Sequence, residues 1–150
     1  MLTKDVIKLQ EKILKWLCKG KDTKQRYFYE LDGKDILISD SYVISRIDLT
    51  EWFIDIRDMQ TANITKIIQS QTKTKDVVMT DTLEKLEKGV VRLFKLDDKE
   101  IWINEKFIKE AGGADYLRQF EIKGTSPVAP ISFINKLGDT MHLMCPVRRA

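Results

Sequence analysis

The chain has 150 residues, of which 43% are hydrophobic and 33% charged, and a net charge of +3; this is the size and composition of one soluble globular domain. No apolar run reaches the roughly 18 residues of a membrane-spanning helix, and charges every few positions near the N-terminus exclude a secretory signal. Cys18 and Cys145 are too few and too far apart for a zinc cluster or a disulfide scaffold, which indicates a reducing, cytoplasmic setting.

Residues 3–19 have the pattern of an amphipathic helix, with Thr3 as N-cap and Gly20 as its end. Residues 1–26 hold eight basic and three acidic residues, whereas the rest of the chain holds 18 basic and 20 acidic ones. On a helical wheel, one side is apolar and lysines fill an arc of about 80° on the other. The apolar positions are Val6, Leu9, Ile13, Trp16 and Leu17, and the lysines are Lys4, Lys8, Lys12, Lys15 and Lys19. Such a face is either a solvated helix surface or a surface for an anionic partner.

The next segment predicts strands separated by turns. An Asp32-Gly33 turn and an Asp40-Ser41 turn divide three strands, and a fourth strand over 51–56 is also predicted. Further on, the polar run 69–76 is a candidate mobile loop. The first three strands are 26–31, 34–39 and 42–47, and a hairpin around Glu84–Gly89 pairs 77–83 with 90–96.

The last third predicts one further helix among strands. Asn104 is placed to cap a helix over 105–111, which Gly112-Gly113 ends. Residues 117–123 alternate as a strand does, and another strand is predicted near 131–134. The remaining predicted features are a strand over 100–103 after the turn 97–99, and a final strand with Met141, Leu143, Cys145 and Val147 on one face. The order of elements predicts an α+β fold with a weak internal duplication.

The C-terminal third resembles the last half-domain of the bacterial beta sliding clamp, the DNA polymerase processivity factor. The resemblance rests on IWINEKFIKEAGG (101–113), FEIKGTSPV (120–128) and MHLMCPVRR (141–149), and more loosely on 28–47. It implies that residues 1–150 form a single DNA-clamp-like domain. Such a domain has two β-α-β-β-β units, with both helices on one side of antiparallel sheets and facing DNA. Clamp rings contain six domains, so this chain would need six copies to close one, or it does not encircle DNA.

The resemblance also implies two sets of site residues. In the first, the lysine-lined helix contacts double-stranded DNA without sequence preference, with Arg118 nearby and Glu105 and Glu110 diluting the charge. The second set is a cleft for a short peptide motif of a polymerase or another replication protein, although Met144 and Val147 could instead pack the core. The DNA-binding set is Lys4, Lys8, Lys12, Lys15, Lys19, Lys106 and Lys109, and the partner-binding set is Val128, Met144, Pro146, Val147 and Arg148.

The sequence contains no pattern that points to catalysis, a cofactor or a metal. His142 is the only histidine and is expected to point outward or lie at an edge. Cys18 and Cys145 are interpreted as small core residues, and no Gly-rich phosphate loop or nucleophile elbow is present. The three tryptophans, interpreted as packing residues, are Trp16, Trp52 and Trp102.

Three functions remain open. The first is a clamp-like processivity or tethering protein of phage or mobile-element type, either a homo-oligomer or a chain that does not encircle DNA, that binds DNA and acts without catalysis. The second is a clamp-fold interaction module or inhibitor of replication factors that does not bind DNA. The third is a small enzyme whose site the sequence does not reveal.

Overall fold

Residues 3–20 and 26–148, which this computed structural model describes, form an α+β fold of two sheets and four α-helices. The α+β prediction is therefore confirmed. The helices are α1 (Lys4–Cys18), α2 (Ile64–Gln69), α3 (Glu105–Glu110) and α4 (Ala114–Leu117). The strands are β1 (Phe28–Asp32), β2 (Asp35–Ser39), β3 (Val43–Asp48), β4 (Gln60–Thr61), β5 (Lys75–Asp76), β6 (Val78–Leu86), β7 (Gly89–Leu96), β8 (Lys99–Asn104), β9 (Glu121–Gly124), β10 (Ile131–Ile134) and β11 (Thr140–Met144).

The larger sheet is built from two three-stranded meanders. Its strand order is β4-β1-β2-β3-β11-β10-β9-β5, and the smaller sheet has the order β6-β7-β8. The third strands of the two meanders, β3 and β11, pair antiparallel at the centre, with Ser45 opposite His142. A helix followed by a meander thus occurs twice, as the predicted duplication requires. Only the second of these helices, α3, directly follows a described strand, which is β8.

The helices α1 and α3 pack on the same face of the larger sheet. Residues directly opposite each other on antiparallel strands point to one face, so Ile38, Ser45 and His142 share a face. On this face Ile38 belongs to the core cluster of Ile13 in α1. Met144, two residues after His142, belongs to the cluster of Ile108 in α3. The opposite face carries Leu37, Ile44 and Leu143, and is covered by Ile64 of α2.

The ends of the helices follow local sequence chemistry. Gly20 ends α1 with a φ of 71° and donates its N–H to the carbonyl of Leu17 at 2.9 Å, as predicted. The Asn104 side chain accepts from the N–H of Lys106 at 3.0 Å and caps α3, also as predicted. Thr3 occupies the N-cap position of α1, but its side chain makes no capping hydrogen bond.

The predicted strand over 51–56 is wrong. Two 3₁₀ turns, Leu49–Glu51 and Ile56–Asp58, occupy this region instead. The carboxylates of Asp48 and Asp55 each accept from the backbone N–H two residues further on, at 2.9 Å. Aspartates that bond to their own backbone in this way favour turns over a strand ladder.

Three other boundaries differ from prediction. Residues 117–123 are not one strand, because Leu117 ends α4 and β9 starts only at Glu121. The hairpin that pairs 77–83 with 90–96 is confirmed, but its turn is tighter, since Leu86 still pairs with Gly89. The predicted loop 69–76 is shorter, because Lys75 and Asp76 pair with β9 as an edge strand.

The final strand is also shorter than predicted. It ends at Met144, so Cys145 and Val147 do not continue its face. Instead, the Cys145 N–H donates to the carbonyl of Tyr42 at 2.9 Å, and the Val147 N–H donates to that of Trp102 at 2.7 Å. The first bond attaches the C-terminal residues to the turn before β3, and the second attaches them to β8.

A buried glutamine joins α1 to the 3₁₀ turns. Gln10 is fully buried on the side of α1 that the sequence pattern marks as apolar. Its amide Nε2 donates to the carbonyl of Glu51 at 2.8 Å, and its Oε1 accepts from the N–H of Phe53 at 2.7 Å. These two bonds satisfy both polar ends of the buried Gln10 amide and hold the segment after β3 against α1.

Candidate nucleic-acid interface

The amphipathic character of α1 is confirmed. Ile13 is fully buried, and Val6, Leu9 and Trp16 pack against the same cluster. On the opposite side, four lysines are exposed and one is half-buried. The exposed lysines are Lys4, Lys8, Lys15 and Lys19, and the half-buried one is Lys12.

Acidic neighbours neutralise two of the five lysines. Lys12 Nζ lies 3.4 Å from a carboxylate oxygen of Glu110 in α3, and Lys15 Nζ lies 2.8 Å from Glu11. The hydrogen bond between Glu11 and Lys15 lowers the pKa of the carboxyl and raises the pKa of the ammonium, so both are charged at neutral pH. Within the described residues, the other three lysines of α1 have no ion pair.

The lysines of α3 lie near those of α1. Lys106 and Lys109 are exposed, and Lys109 lines the same cavity as Lys8 and Lys12. Lys106 Nζ lies 3.9 Å from Glu110. Basic side chains of α1 and α3 therefore lie beside the same cavity.

Glu105 does not dilute this charge as expected. It is buried, and its two carboxylate oxygens accept from Arg92 Nε at 2.8 Å and Nη2 at 2.9 Å. Glu105 thus points into the core between α3 and β7 instead of toward solvent. The Arg92–Glu105 pair was not recognised from the sequence.

A basic notch of about 470 Å³ lies beside the lysine face of α1. The Arg26 guanidinium carbon is 4.7 Å from the ring centroid of Trp16 and 5.7 Å from that of Tyr27. These are cation–π distances, and they place Trp16 in a packing role, as predicted. The notch is lined by Lys8, Glu11, Lys12, Lys15, Trp16, Lys19, Arg26 and Tyr27.

The residues of the predicted peptide cleft have different environments. Met144 is fully buried in the core, as its alternative interpretation requires. Val128 is 66% exposed on the turn before β10, and Arg148 is exposed. Pro146 and Val147 are half-buried beside β8. Other residues line the basic notch and the cavity between α1, α3 and the larger sheet.

A larger cavity of about 830 Å³ is lined by residues of α1, α3 and the central strands of the larger sheet. Its lining includes the side chains of Ser45 and His142, with Ser45 Oγ 3.2 Å from His142 Nδ1. The imidazole also packs at ring-centroid distances of 6.3 Å from Tyr116 and 6.1 Å from Phe120. Burial lowers the pKa of His142 to about 4, so the imidazole is neutral at neutral pH.

Two predictions about single residues are wrong. His142 does not point outward: it is only 8% exposed, because it lies on the face of β11 that α4 covers. Cys18 is exposed near the end of α1, so it is not a small core residue, whereas Cys145 is half-buried. Within residues 3–20 and 26–148, no group of three or more His, Cys, Asp or Glu side chains could hold a metal ion.

No protein-family model, curated protein or solved structure matches this chain. Among the described helices, none is long and apolar enough to cross a membrane.

Proposed function

We propose that this chain is a clamp-like DNA-associated protein. It binds the backbone of double-stranded DNA through α1 and α3 without reading sequence, and it recruits a partner protein. It acts by tethering and carries out no catalysis.

The observation that carries the proposal is the repeated unit of a helix and a three-stranded meander. The two meanders join at β3 and β11, and α1 and α3 lie side by side on one face of the joined sheet. A clamp domain has this kind of arrangement, in which paired helices present one outer surface. The resemblance in 101–113, 120–128 and 141–149 covers the second unit and its ends.

The charges on the helices suit contact with phosphates. A lysine ammonium on a flexible stem is a point charge that binds phosphate oxygens and does not distinguish bases. Lys4, Lys8 and Lys19 are exposed and have no ion pair with any described residue, so they are the principal contacts. Lys12 and Lys15 would first have to leave Glu110 and Glu11. Lys106 and Lys109 extend the same surface.

The C-terminal residues would receive the partner. Val128, Pro146, Val147 and Arg148 are exposed or half-buried, which leaves them accessible to a short apolar peptide of a replication protein. The backbone bond from Val147 to Trp102 holds the tail in place. Met144 lies beneath as part of the core.

Reversing the charge of the three unpaired lysines should weaken DNA binding. The triple variant Lys4→Glu, Lys8→Glu, Lys19→Glu is expected to lose at least roughly tenfold in affinity for a random-sequence duplex, with the salt slope reduced by about one unit per lysine. Fluorescence anisotropy over a salt series measures both quantities. The matched control reverses three exposed lysines of the smaller sheet and its turn, Lys85, Lys88 and Lys99, and has the same net charge as the first triple variant.

Equal losses in the two triple variants would mean that only net charge matters, and the helix surface would not be the DNA site. If the natural protein has no measurable DNA affinity but binds peptides of replication proteins, it is an interaction module instead. The ion pairs of Lys12 and Lys15 favour this second function, because they reduce the free positive charge of α1.

Encirclement of DNA makes a separate prediction about mass. Six domains close a clamp ring, so a ring-forming chain should have a native mass six times the chain's 17.5 kDa. Light scattering at low and moderate salt measures this mass. A monomer or a dimer would contradict ring closure and leave tethering by surface contact.

A further inference from the structure

We propose that the cavity between α1, α3 and the larger sheet is a binding site for a small amphipathic cation, a compound with an apolar body and one ammonium group. This inference does not depend on DNA binding.

The size and walls of the cavity suit such a ligand. Its volume of about 830 Å³ lies in the range of small-molecule sites, which is roughly 300–1,000 Å³. Apolar side chains come from both helices and from the sheet. They include Val6 and Leu9 of α1, Ile38 and Ile47 of the sheet, and Phe107 of α3. An aromatic or aliphatic body would be removed from water on several sides.

The charged groups of the cavity are mostly acidic, and most of the carboxylates have no ion pair, although Asp40, Asp48 and Glu51 accept hydrogen bonds from backbone N–H groups. Arg46 is already engaged, because its guanidinium donates to Asp32, Asp35 and the carbonyl of Thr140. Lys12 is engaged by Glu110. The carboxylates that line the cavity without an ion pair to any described residue are Asp5, Asp40, Asp48, Glu51 and Asp139, whereas the unpaired ammonium groups are those of Lys8 and Lys109.

Two of these carboxylates lie at one end of the cavity, where Glu51 Oε1 accepts from the N–H of Thr3 at 2.6 Å, two residues before Asp5. Burial, and then the negative charges of Asp5 and Glu51, raise the pKa of Tyr116, so both carboxylates act on this ring. A Cβ added to Gly112 would lie 3.3 Å from Asp5 Oδ2 and 2.7 Å from the Tyr116 ring, which places these three residues together. The ammonium group of a ligand would be attracted to this end.

The polar groups on the sheet side do not oppose a cation. His142 is neutral at neutral pH because its burial disfavours the imidazolium. Ser45 Oγ and His142 Nδ1 hydrogen-bond to each other, so these two atoms have each other as partners. Ser45 and His142 therefore add dipoles and no positive charge, and the charge of Arg46, which also lines the cavity, is balanced by Asp32 and Asp35.

The test compares three probes of similar shape and different charge: phenethylamine, phenethyl alcohol and phenylacetate. An amide NMR titration at neutral pH gives the dissociation constant of each and the residues that respond. Fragments of this size bind in the millimolar range at best. We expect phenethylamine to bind at least roughly tenfold more tightly than phenylacetate, a factor equal to about 1.4 kcal/mol. The responding residues should include Leu9, Ser45 and Tyr116.

The double variant Asp5→Asn, Glu51→Gln tests the acidic end. It should weaken phenethylamine binding several-fold and leave binding of phenethyl alcohol unchanged, which also shows that the cavity is intact. The matched control, Asp98→Asn with Glu100→Gln, alters two exposed carboxylates near the β7–β8 turn and should change nothing. Phenylacetate binding as tightly as the amine, an unaffected double variant, or no saturable response in the millimolar range would each overturn the proposal. The variant Lys4→Glu, Lys19→Glu, outside the cavity lining, should keep amine binding while losing DNA affinity, which separates the two proposals.

Discussion

Replacing Arg92 with methionine is expected to lower the free energy of unfolding by about 3–5 kcal/mol, because it leaves a buried carboxylate without its partner. Arg92 is 8% exposed and Glu105 is 6% exposed. Two parallel hydrogen bonds of 2.8 and 2.9 Å join them, and Arg92 Nη1 also donates to the carbonyl of Thr80 at 2.9 Å. The hydrogen bonds to Glu105 raise the pKa of Arg92 further, so the guanidinium is charged at neutral pH.

A double variant separates the loss of the ion pair from the cost of leaving the Glu105 carboxylate buried without a partner. Arg92→Met with Glu105→Met removes both charges, so its loss should be much smaller than that of the single variant. About 1 kcal/mol should remain for the carbonyl of Thr80. Arg118→Met is the matched control, because Arg118 is an exposed arginine that pairs with Asp81 and Asp115. It should cost less than about 1 kcal/mol.

Urea unfolding of the four proteins measures these differences. A loss below about 1 kcal/mol for Arg92→Met would contradict the buried pair. The result also bears on the proposed DNA surface. Glu105 is the first residue of α3, and its bond to β7 fixes the helix that carries Lys106 and Lys109. Loss of the pair should therefore loosen the position of these two lysines relative to α1.

The parts of the fold that the sequence predicts are those set by local chemistry. The periodicity of α1, the turn at Asp32-Gly33 and the Asn104 cap all depend on residues within a few positions of each other. Gly33 has a φ of 59° and Asp97 a φ of 55°, and both lie in predicted turns. The three strands of each meander are recognisable for the same reason.

The parts that the sequence does not predict depend on tertiary partners. Gln10 is polar but buried, because the segment 51–53 brings backbone groups that only its amide satisfies. Arg92 interrupts an apolar strand, and its partner Glu105 is reached only after the chain has formed β8. Gln10 at the edge of the apolar arc of α1 and Arg92 within an apolar strand are the local signs of these buried contacts.

The candidate site divides in the same way. The lysines of α1 follow from helical spacing, and their exposure agrees with it. The cavity does not follow from any spacing, because Asp5, Glu51, Tyr116 and His142 come from four distant segments. The environment of His142 depends on the pairing of β11 with β3 and on the packing of α4, so its burial was not visible in the sequence.

Acidification from pH 6.5 to 4 is expected to lower the free energy of unfolding by about 3 kcal/mol through His142 alone. Burial lowers the pKa of this imidazole from 6.5 to about 4, so the folded protein stays unprotonated there while the unfolded chain takes up a proton. The contribution of His142 is therefore complete above pH 6.5 and is lost as the pH falls to 4. Below that value both states are protonated, and no further loss follows.

Comparison with His142→Gln isolates this effect from other titrating groups. Glutamine keeps a hydrogen-bonding side chain near Ser45 but does not titrate. The pKa values of Glu11, Asp48 and Asp55 are lowered in the folded protein, so their protonation on acidification also lowers the free energy of unfolding. This loss is the same in both proteins. His142 is the only histidine, so the difference between the two urea-unfolding profiles belongs to it. Between pH 6.5 and 4 the natural protein should lose about 3 kcal/mol more of its free energy of unfolding than the variant does. A difference between the two proteins that is independent of pH would mean that the imidazole is open to water.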